Sequence, residues 1–232
     1  MGAFTREQTY GPARANEATH PMAPQTPLVL ALPARSLVGM FTDGCRAAAL
    51  EFVNRVAVSN DKEQLAEWLR GPYRTHVVTL ARSRTRRMGA ASVVPGALTK
   101  LLAQTRLEVS LNLLRTRDPE DGVSFGYSAL AAGLVYRAQD AMGAMGWVPV
   151  AQPRMRLTDR VLSLVAADYL LRGDEYETSL FTCSACGLTA FDAGRADLGV
   201  CRAHAQRSAS DIRELGSTST LDDMPPSLAD VG

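Results

Sequence analysis

Residues 181–204, FTCSACGLTAFDAGRADLGVCRAH, hold three of the chain's four cysteines and one of its three histidines. Cys183-x2-Cys186 is followed, after 14 residues, by Cys201-x2-His204. Thiolate and imidazole are donors that Zn²⁺ favours, and two ligand pairs at this spacing suit its tetrahedral shell. Gly187 permits a tight turn after the second cysteine. CRAHAQRSASDIRELG reads as a helix with Cys201 and His204 in its first turn and Gly216 as its stop. Together these have the shape of a treble-clef or ribbon-like finger. Four protein ligands leave no position for a reactive water, so the spacing predicts structural zinc rather than a catalytic centre. The competing readings are buried free cysteines and an iron–sulfur centre, whose ligands are usually all cysteine.

A second set of residues could bind rather than react. Arg82, Arg84, Arg86 and Arg87 fall in a six-residue run, preceded by Arg74 and His76. Such a cluster is either a solvated loop or an anion-binding face. Basic clusters draw anionic lipid at ~1 kcal/mol per charge, or phosphates by counterion release. Either partner predicts a steep salt dependence.

No Gly-rich phosphate loop, Ser/His/Asp order or paired-carboxylate motif accompanies these residues. Cys45 shares helical spacing with Ala49 and Val53, which marks a small buried hydrophobe rather than a nucleophile. His76 has no acid–base partner in sight, and His20 lies in a loose arm. Arg172-Gly173-Asp174 reads as a helix stop. The expectation is a protein that is not an enzyme.

The elements that would position these groups read as helices. Of the 232 residues 46% are hydrophobic and only 6% aromatic, so Ala, Leu and Val carry the apolar load and favour helix over strand. Net charge is +1, so any basic surface is local. No run reaches the ~18–20 apolar residues of a membrane span, and a soluble chain is expected. Cys45, Ala49, Val53 and Val56 mark a first helix. SNDKEQLAEWLRG reads as a second, with Asn60 as cap, Glu63 completing a capping box, Leu65, Trp68 and Leu69 inward, and Gly71-Pro72 as stop. YRTHVVTLAR fits a short helix or a strand. In GALTKLLAQTRLEVSLNLLR, Leu98, Leu101, Leu102, Thr105, Val109 and Leu113 share a helical face, while Leu107 to Leu113 also alternate as in a strand. Length favours helix, with Leu107, Leu111 and Leu114 on the opposite face, as in a helix buried on two sides. Residues 118–122 read as a loop, YSALAAGLVYRAQDAMGAMG as a small-residue helix and VPVAQPRMR as a connector. LTDRVLSLVAADYLLRG is an amphipathic helix capped by Thr158, with Leu157, Val161, Leu164, Val165 and Leu171 inward.

In this order the motifs resemble the influenza-type orthomyxovirus matrix protein family over residues 36–172. ALEFVNRVAVSNDKEQLAEWLR resembles the second and third helices of that family's N-terminal domain. VTLARSRTRR is similar to the apolar-then-basic junction that follows. LLAQTRLEVS, GYSALAAGLVYR and TDRVLSLVAADYL resemble the next three helices. The resemblance implies an all-α body in two subdomains, self-assembly beneath an envelope, and contact with lipid and ribonucleoprotein. Two features depart from the family. The segment matching its basic helix, Leu102 to Leu107, holds only Arg106. Its Cys/His cluster corresponds here to Ala166, Ala167 and Asp168, so the cluster at 183–204 is independent.

The expected fold is therefore all-α: a multi-helix bundle in two subdomains with a small C-terminal zinc-binding module. The expected divisions are a flexible arm over 1–26, helical subdomains over 27–87 and 88–178, the zinc module over 179–216 and a disordered tail over 217–232. The expected function is a viral matrix protein that polymerises with its own copies and links an anionic membrane surface to ribonucleoprotein RNA. Arg74, Arg82, Arg84, Arg86 and Arg87 would be its membrane- and RNA-binding residues, and no small molecule its substrate. It would lie on the inner face of the virion envelope and the cytoplasmic face of the host membrane, with the nucleus as a further compartment. The alternative is a zinc-finger regulator that binds nucleic acid or a transcription partner.

Overall fold

The computed structural model describes residues 29–79, 95–152 and 154–205. In chain order the elements are β1 (Val29–Ala31), α1 (Val38–Thr42), α2 (Cys45–Glu51), a π turn over Phe52–Val56 and α3 (Ala57–Ser59). Next come α4 (Lys62–Trp68), a second π turn over Leu69–Tyr73, α5 (Arg74–His76) and β2 (Val78–Thr79). The middle comprises α6 (Pro95–Arg115), α7 (Pro119–Ala131), β3 (Val135–Gln139), β4 (Met145–Ala151) and α8 (Leu157–Arg172). The last described elements are α9 (Asp174–Ser179), β5 (Leu180–Thr182) and β6 (Thr189–Phe191).

The all-α expectation fails. A four-stranded mixed sheet of order β1-β3-β4-β2 stands beside the helices, and β5 and β6 form a second, two-stranded sheet. β3 and β4 pair antiparallel, while β1 joins β3 and β2 joins β4 in parallel. The expected helix over 127–146 stops after Ala131. Gly133 takes φ +66°, its amide donates to Leu130 O at 3.0 Å, and the Leu134 amide donates to Ala129 O at 2.9 Å. That is the left-handed glycine stop of a Schellman motif. Asp140 then makes the hairpin turn: its Oδ1 accepts from the amides of Met142 and Ala144, both at 2.9 Å, and Gly143 takes φ +84°. The expected connector VPVAQ is mostly strand, with Val148 and Val150 fully buried.

Smaller corrections have local causes. Asp61, not Asn60, caps α4, its Oδ1 accepting from the Glu63 amide at 2.7 Å; Asn60 takes φ +53° at the end of α3. Gly71-Pro72 does not stop the chain's helical path, which continues through the second π turn, with Pro72 inside it, into α5. Residues 118–122 are not a loop throughout: Asp118 caps α7, accepting from Glu120 and Asp121, and Pro119 occupies the first turn, where its missing N–H costs nothing. Arg156 rather than Thr158 stands at the start of α8.

α6 is a helix as expected, with Leu98, Leu102, Thr105, Val109 and Leu113 buried; Leu101 is exposed, and the helix is not buried on two sides, since Leu107, Leu111 and Leu114 on its opposite face are exposed. α8 lies at the centre. Val161, Leu164, Val165, Ala166 and Ala167 have no exposed surface, and only its end turns outward at Leu171. Around it one apolar core gathers Cys45, Phe52, Val53 and Trp68 from the N-terminal helices, Leu102, Val109 and Leu113 from α6, and Leu180 from β5. Trp68 packs on Phe52 and Tyr73 and donates its indole N–H to Ala48 O at 3.0 Å. Cys45 is a core residue: burial, then the charge of Asp168, pushes its thiol far up, away from the reactive thiolate. α7 approaches α8 closely because a Cβ at Gly122 would overlap the Tyr169 ring and one at Gly126 would press Leu170.

Inside this core sits one carboxylate. Asp168 is 1% exposed; it faces Arg46 at 3.2 Å and Arg172 at 3.4 Å, and accepts from Tyr176 Oη at 2.7 Å. Burial holds its pKa above the ordinary carboxylate range, with Tyr176 and the two arginines opposing the shift. Between the ordinary and the raised pKa, therefore, the folded chain keeps a proton that the unfolded chain has released. This group's contribution to stability is fully present below the ordinary carboxylate pKa and declines as pH rises toward the raised value. Arg46→Met keeps most of the side-chain bulk but removes a counter-charge. It should lower stability at neutral pH by about 2–3 kcal/mol, with the loss shrinking as acid neutralises Asp168; urea unfolding across pH reads both effects.

Candidate metal centre

β5 and β6 are a three-residue antiparallel pair, registered Leu180 with Phe191, Phe181 with Ala190 and Thr182 with Thr189. The turn between them begins at Cys183. The Gly187 amide returns to Cys183 O at 2.8 Å, and the Cys183 amide donates to Leu188 O at 2.9 Å. Gly187 takes φ +68° with open space around it, so the expected role for this glycine holds. A second turn, over Ala196–Leu198 and Gly199 at φ +63°, carries the chain to Cys201. The Ser184 amide donates to Gly199 O at 2.8 Å and joins the two turns. Residues 202–205 are helical, and His204 sits in that turn as expected. The rest of the expected helix lies outside the described residues.

These turns bring Cys183, Cys186, Cys201 and His204 together, with one donor atom of each lying within 4.8 Å of all the others. Nδ1 of His204 is 3.1 Å from Cys201 Sγ and 3.9 Å from Cys183 Sγ, so Nδ1 is the imidazole atom that faces the cluster. Tetrahedral Zn²⁺ with Zn–S ≈ 2.3 Å and Zn–N ≈ 2.0–2.1 Å requires donor separations of about 3.5–3.8 Å. The cluster brackets that range, and none of its cysteines is in a disulfide.

The electrostatics fit a cation. The amide of Cys201 donates to Cys183 Sγ at 3.4 Å, and backbone donors, that one first, pull the Cys183 thiol down to about 6 against the effect of burial. At Cys186 the Leu188 amide also lowers the pKa, but burial and the neighbouring Cys183 outweigh it, and the net shift is upward. One thiol is thus ready to ionise while its neighbour resists a second negative charge. A divalent cation removes that repulsion and lets all three thiols ligate as thiolates. These residues can hold a metal ion, with four protein donors in a closed shell.

The centre is fastened to the helical body. Asn54 uses both ends of its amide on β6: Nδ2 donates to Thr189 O at 2.7 Å, and Oδ1 accepts from the Thr189 amide at 3.0 Å. The Arg46 guanidinium lies 3.7 Å from the Phe191 ring centroid, and Tyr176 meets that ring edge-on. Leu180 is fully buried in the main core, while Phe181, Cys183 and Ala196 make a small core of their own. Arg46 and Asn54 are participants that the motif spacing does not reveal, because they lie far away in sequence; Asp168 and Tyr176 lie just before the motif but outside its ligand pattern.

The expected basic face is only partly visible. Arg74 is exposed on α5. Arg82, Arg84, Arg86 and Arg87 lie outside the described residues. Comparison with protein-family models, curated protein sequences and solved structures returned no match.

Metal analysis of the purified chain should give one zinc per molecule. Cys201→Ser or His204→Ala should abolish that stoichiometry or weaken it by at least about tenfold. Chelation should lower the melting temperature of the native chain and leave that of Cys201→Ser unchanged.

Proposed function

We propose that the chain is a non-catalytic assembly protein in which a structural zinc ion clamps the C-terminal segment to the helical body. The observation that carries this reading is the pairing of Asn54 with both backbone groups of Thr189. It commits the hairpin that bears the metal ligands to the protein's own α2–π-turn region rather than to an outside ligand. In the clamp, Cys183, Cys186, Cys201 and His204 fill the zinc shell, and Arg46 stacks on Phe191 from the body side.

In its specific form the proposal is a matrix function. Copies of the chain would line an anionic membrane from the inner side of a virion envelope and meet ribonucleoprotein RNA, with Arg74, Arg82, Arg84, Arg86 and Arg87 as the contact face. The support is the colinear sequence resemblance over residues 36–172 together with the exposure of Arg74. The mixed sheet is foreign to the all-helical body that this resemblance implies, so the matrix reading stands on sequence order and charge rather than on fold. The finger itself is a poor nucleic-acid reader. Within residues 180–205, Arg195 and Arg202 are matched by Asp192 and Asp197, and both arginines pair with Asp192. Such a surface lacks the net positive charge that drives phosphate binding.

Vesicle flotation with phosphatidylserine, with and without added salt, tests the specific form. Reversal of Arg82, Arg84, Arg86 and Arg87 to Glu should weaken binding at least about a hundredfold. Equal flotation of wild type and variant would remove the membrane role and leave the zinc clamp untouched.

A further inference from the structure

The outward face of α6 is apolar where a solvated helix is polar. Leu107, Leu111 and Leu114 are 61%, 52% and 38% exposed, while Leu102, Val109 and Leu113 on the other face fill the chain's own core. The exposed three recur at i, i+4 and i+7, the seam spacing of a coiled coil. One heptad toward the N-terminus the seam continues as Lys100 and Gln104, so its apolar part is confined to the C-terminal half of the helix. Glu108 and Arg115 follow Leu107 and Leu114 on one flank, and the small residues Ala103 and Ser110 lie on the other.

We propose that this seam is an interface between two copies of the chain, packed antiparallel through the C-terminal half of α6. The flanking charges choose the occupant and its direction. About a two-fold axis lying between Leu111 and Leu114, Glu108 of each copy faces Arg115 of the other, so one pair of opposite charges is satisfied twice. An isologous contact has this property: the same patch complements itself. A parallel pairing sets Glu108 and Arg115 against Ala103 and Ser110 and gains no charge contact. An antiparallel pairing shifted by one heptad places Glu108 against its own copy, which is repulsive and fixes the register. Within one chain Arg115 contacts Asp121 at 3.2 Å, and Gln104 donates to Glu108 at 3.0 Å. Both side chains are thus held beside the seam. The proposal rests on the self-assembly part of the function above and needs neither the zinc clamp nor a membrane.

Sedimentation velocity of the full zinc-loaded chain at about 50 μM should show a dimer. Leu107→Glu with Leu111→Glu should give a monomer with an unchanged circular dichroism spectrum, since both residues are exposed. Glu108→Arg and Arg115→Glu should each weaken the dimer about tenfold, and the two together should return it to within about threefold of wild type. That rescue does not depend on the leucine variant folding. A wild-type chain that stays monomeric at this concentration overturns the proposal. So does a double swap no better than the single changes, or a monomer that needs Leu107 and Leu111 to float with vesicles, which would assign the seam to lipid. Vesicle binding lost with the dimer intact would count only against the membrane role.

Discussion

A carboxylate with 1% of its surface exposed dictates much of what surrounds it. Asp168 sits in the middle of the most deeply buried helix, where an ionised group is costly unless it is paired and hydrogen-bonded. Its partners come from three elements: Arg46 from α2, Arg172 from the last turn of α8 itself, and Tyr176 from α9. Each is in turn held elsewhere. Arg172 also reaches Asp43 and Arg46 reaches Glu175, so the charge inside is linked to two carboxylates nearer the surface. The contact between α2 and α8 and the near-continuous passage from α8 through Gly173, which keeps helical dihedrals, into α9 bring these donors to one oxygen pair. Apolar packing alone would tolerate a wider range of placements.

The same arginine carries the constraint to the metal module. Arg46 presents one edge to Asp168 and its face to Phe191, so the guanidinium is both counter-ion and platform. A metal ion held by Cys183, Cys186, Cys201 and His204 would act on the hairpin from its own turns. A module of some 25 residues has too little apolar interior to hold its own turns, and among the described residues Phe181, Cys183 and Ala196 form its small apolar core separate from the main one. Metal–ligand bonds would supply the missing free energy, because such a site forms only when the chain is folded. A metal ion would thus fix the shape of the hairpin, while Asn54, Arg46 and the core around Leu180 fix its position.

What could be read from sequence divides along the range of the interaction. The clustering of Cys183, Cys186, Cys201 and His204 was legible because their spacing is local and their chemistry narrow, and Gly187 proved to be the left-handed residue the turn required. The inward faces of α2, α6 and most of α8 were legible from the 3.6-residue period. The sheet was not. Residues 127–146 are rich in alanine and glycine, and that composition masked a helix stop at Gly133 and a hairpin turn at Asp140–Gly143. Val135, Tyr136, Trp147, Val148 and Val150 were the countervailing signal: β-branched and aromatic residues in two short runs, one after Gly133 and one after Gly143. Expecting one uninterrupted helix through this stretch, from its small residues and from the resemblance, outweighed that signal. The pairing of β1 and β2 with the hairpin was beyond local reading, since strands of three and two residues have almost no period of their own.

α6 shows how one helix comes to have two apolar faces with different purposes. Its inner face is seated against α8, α3 and the π turn over Phe52–Val56, and a polar contact ties its roll about its axis to that turn: Arg106 donates to Val53 O at 3.0 Å. A π turn widens the helix by one residue and redirects its carbonyls. Here it offers Val53 O to a side chain from another helix. Rolling α6 to bury Leu107 or Leu111 within the chain would break that hydrogen bond and withdraw Leu102 and Val109 from the core. The leucines outside are therefore held outside by packing that the fold needs, and they cannot be covered by a small adjustment of the monomer. A seam fixed in that way presents apolar surface outward with Glu108 and Arg115 along one flank, the surface that the proposed two-fold contact would use.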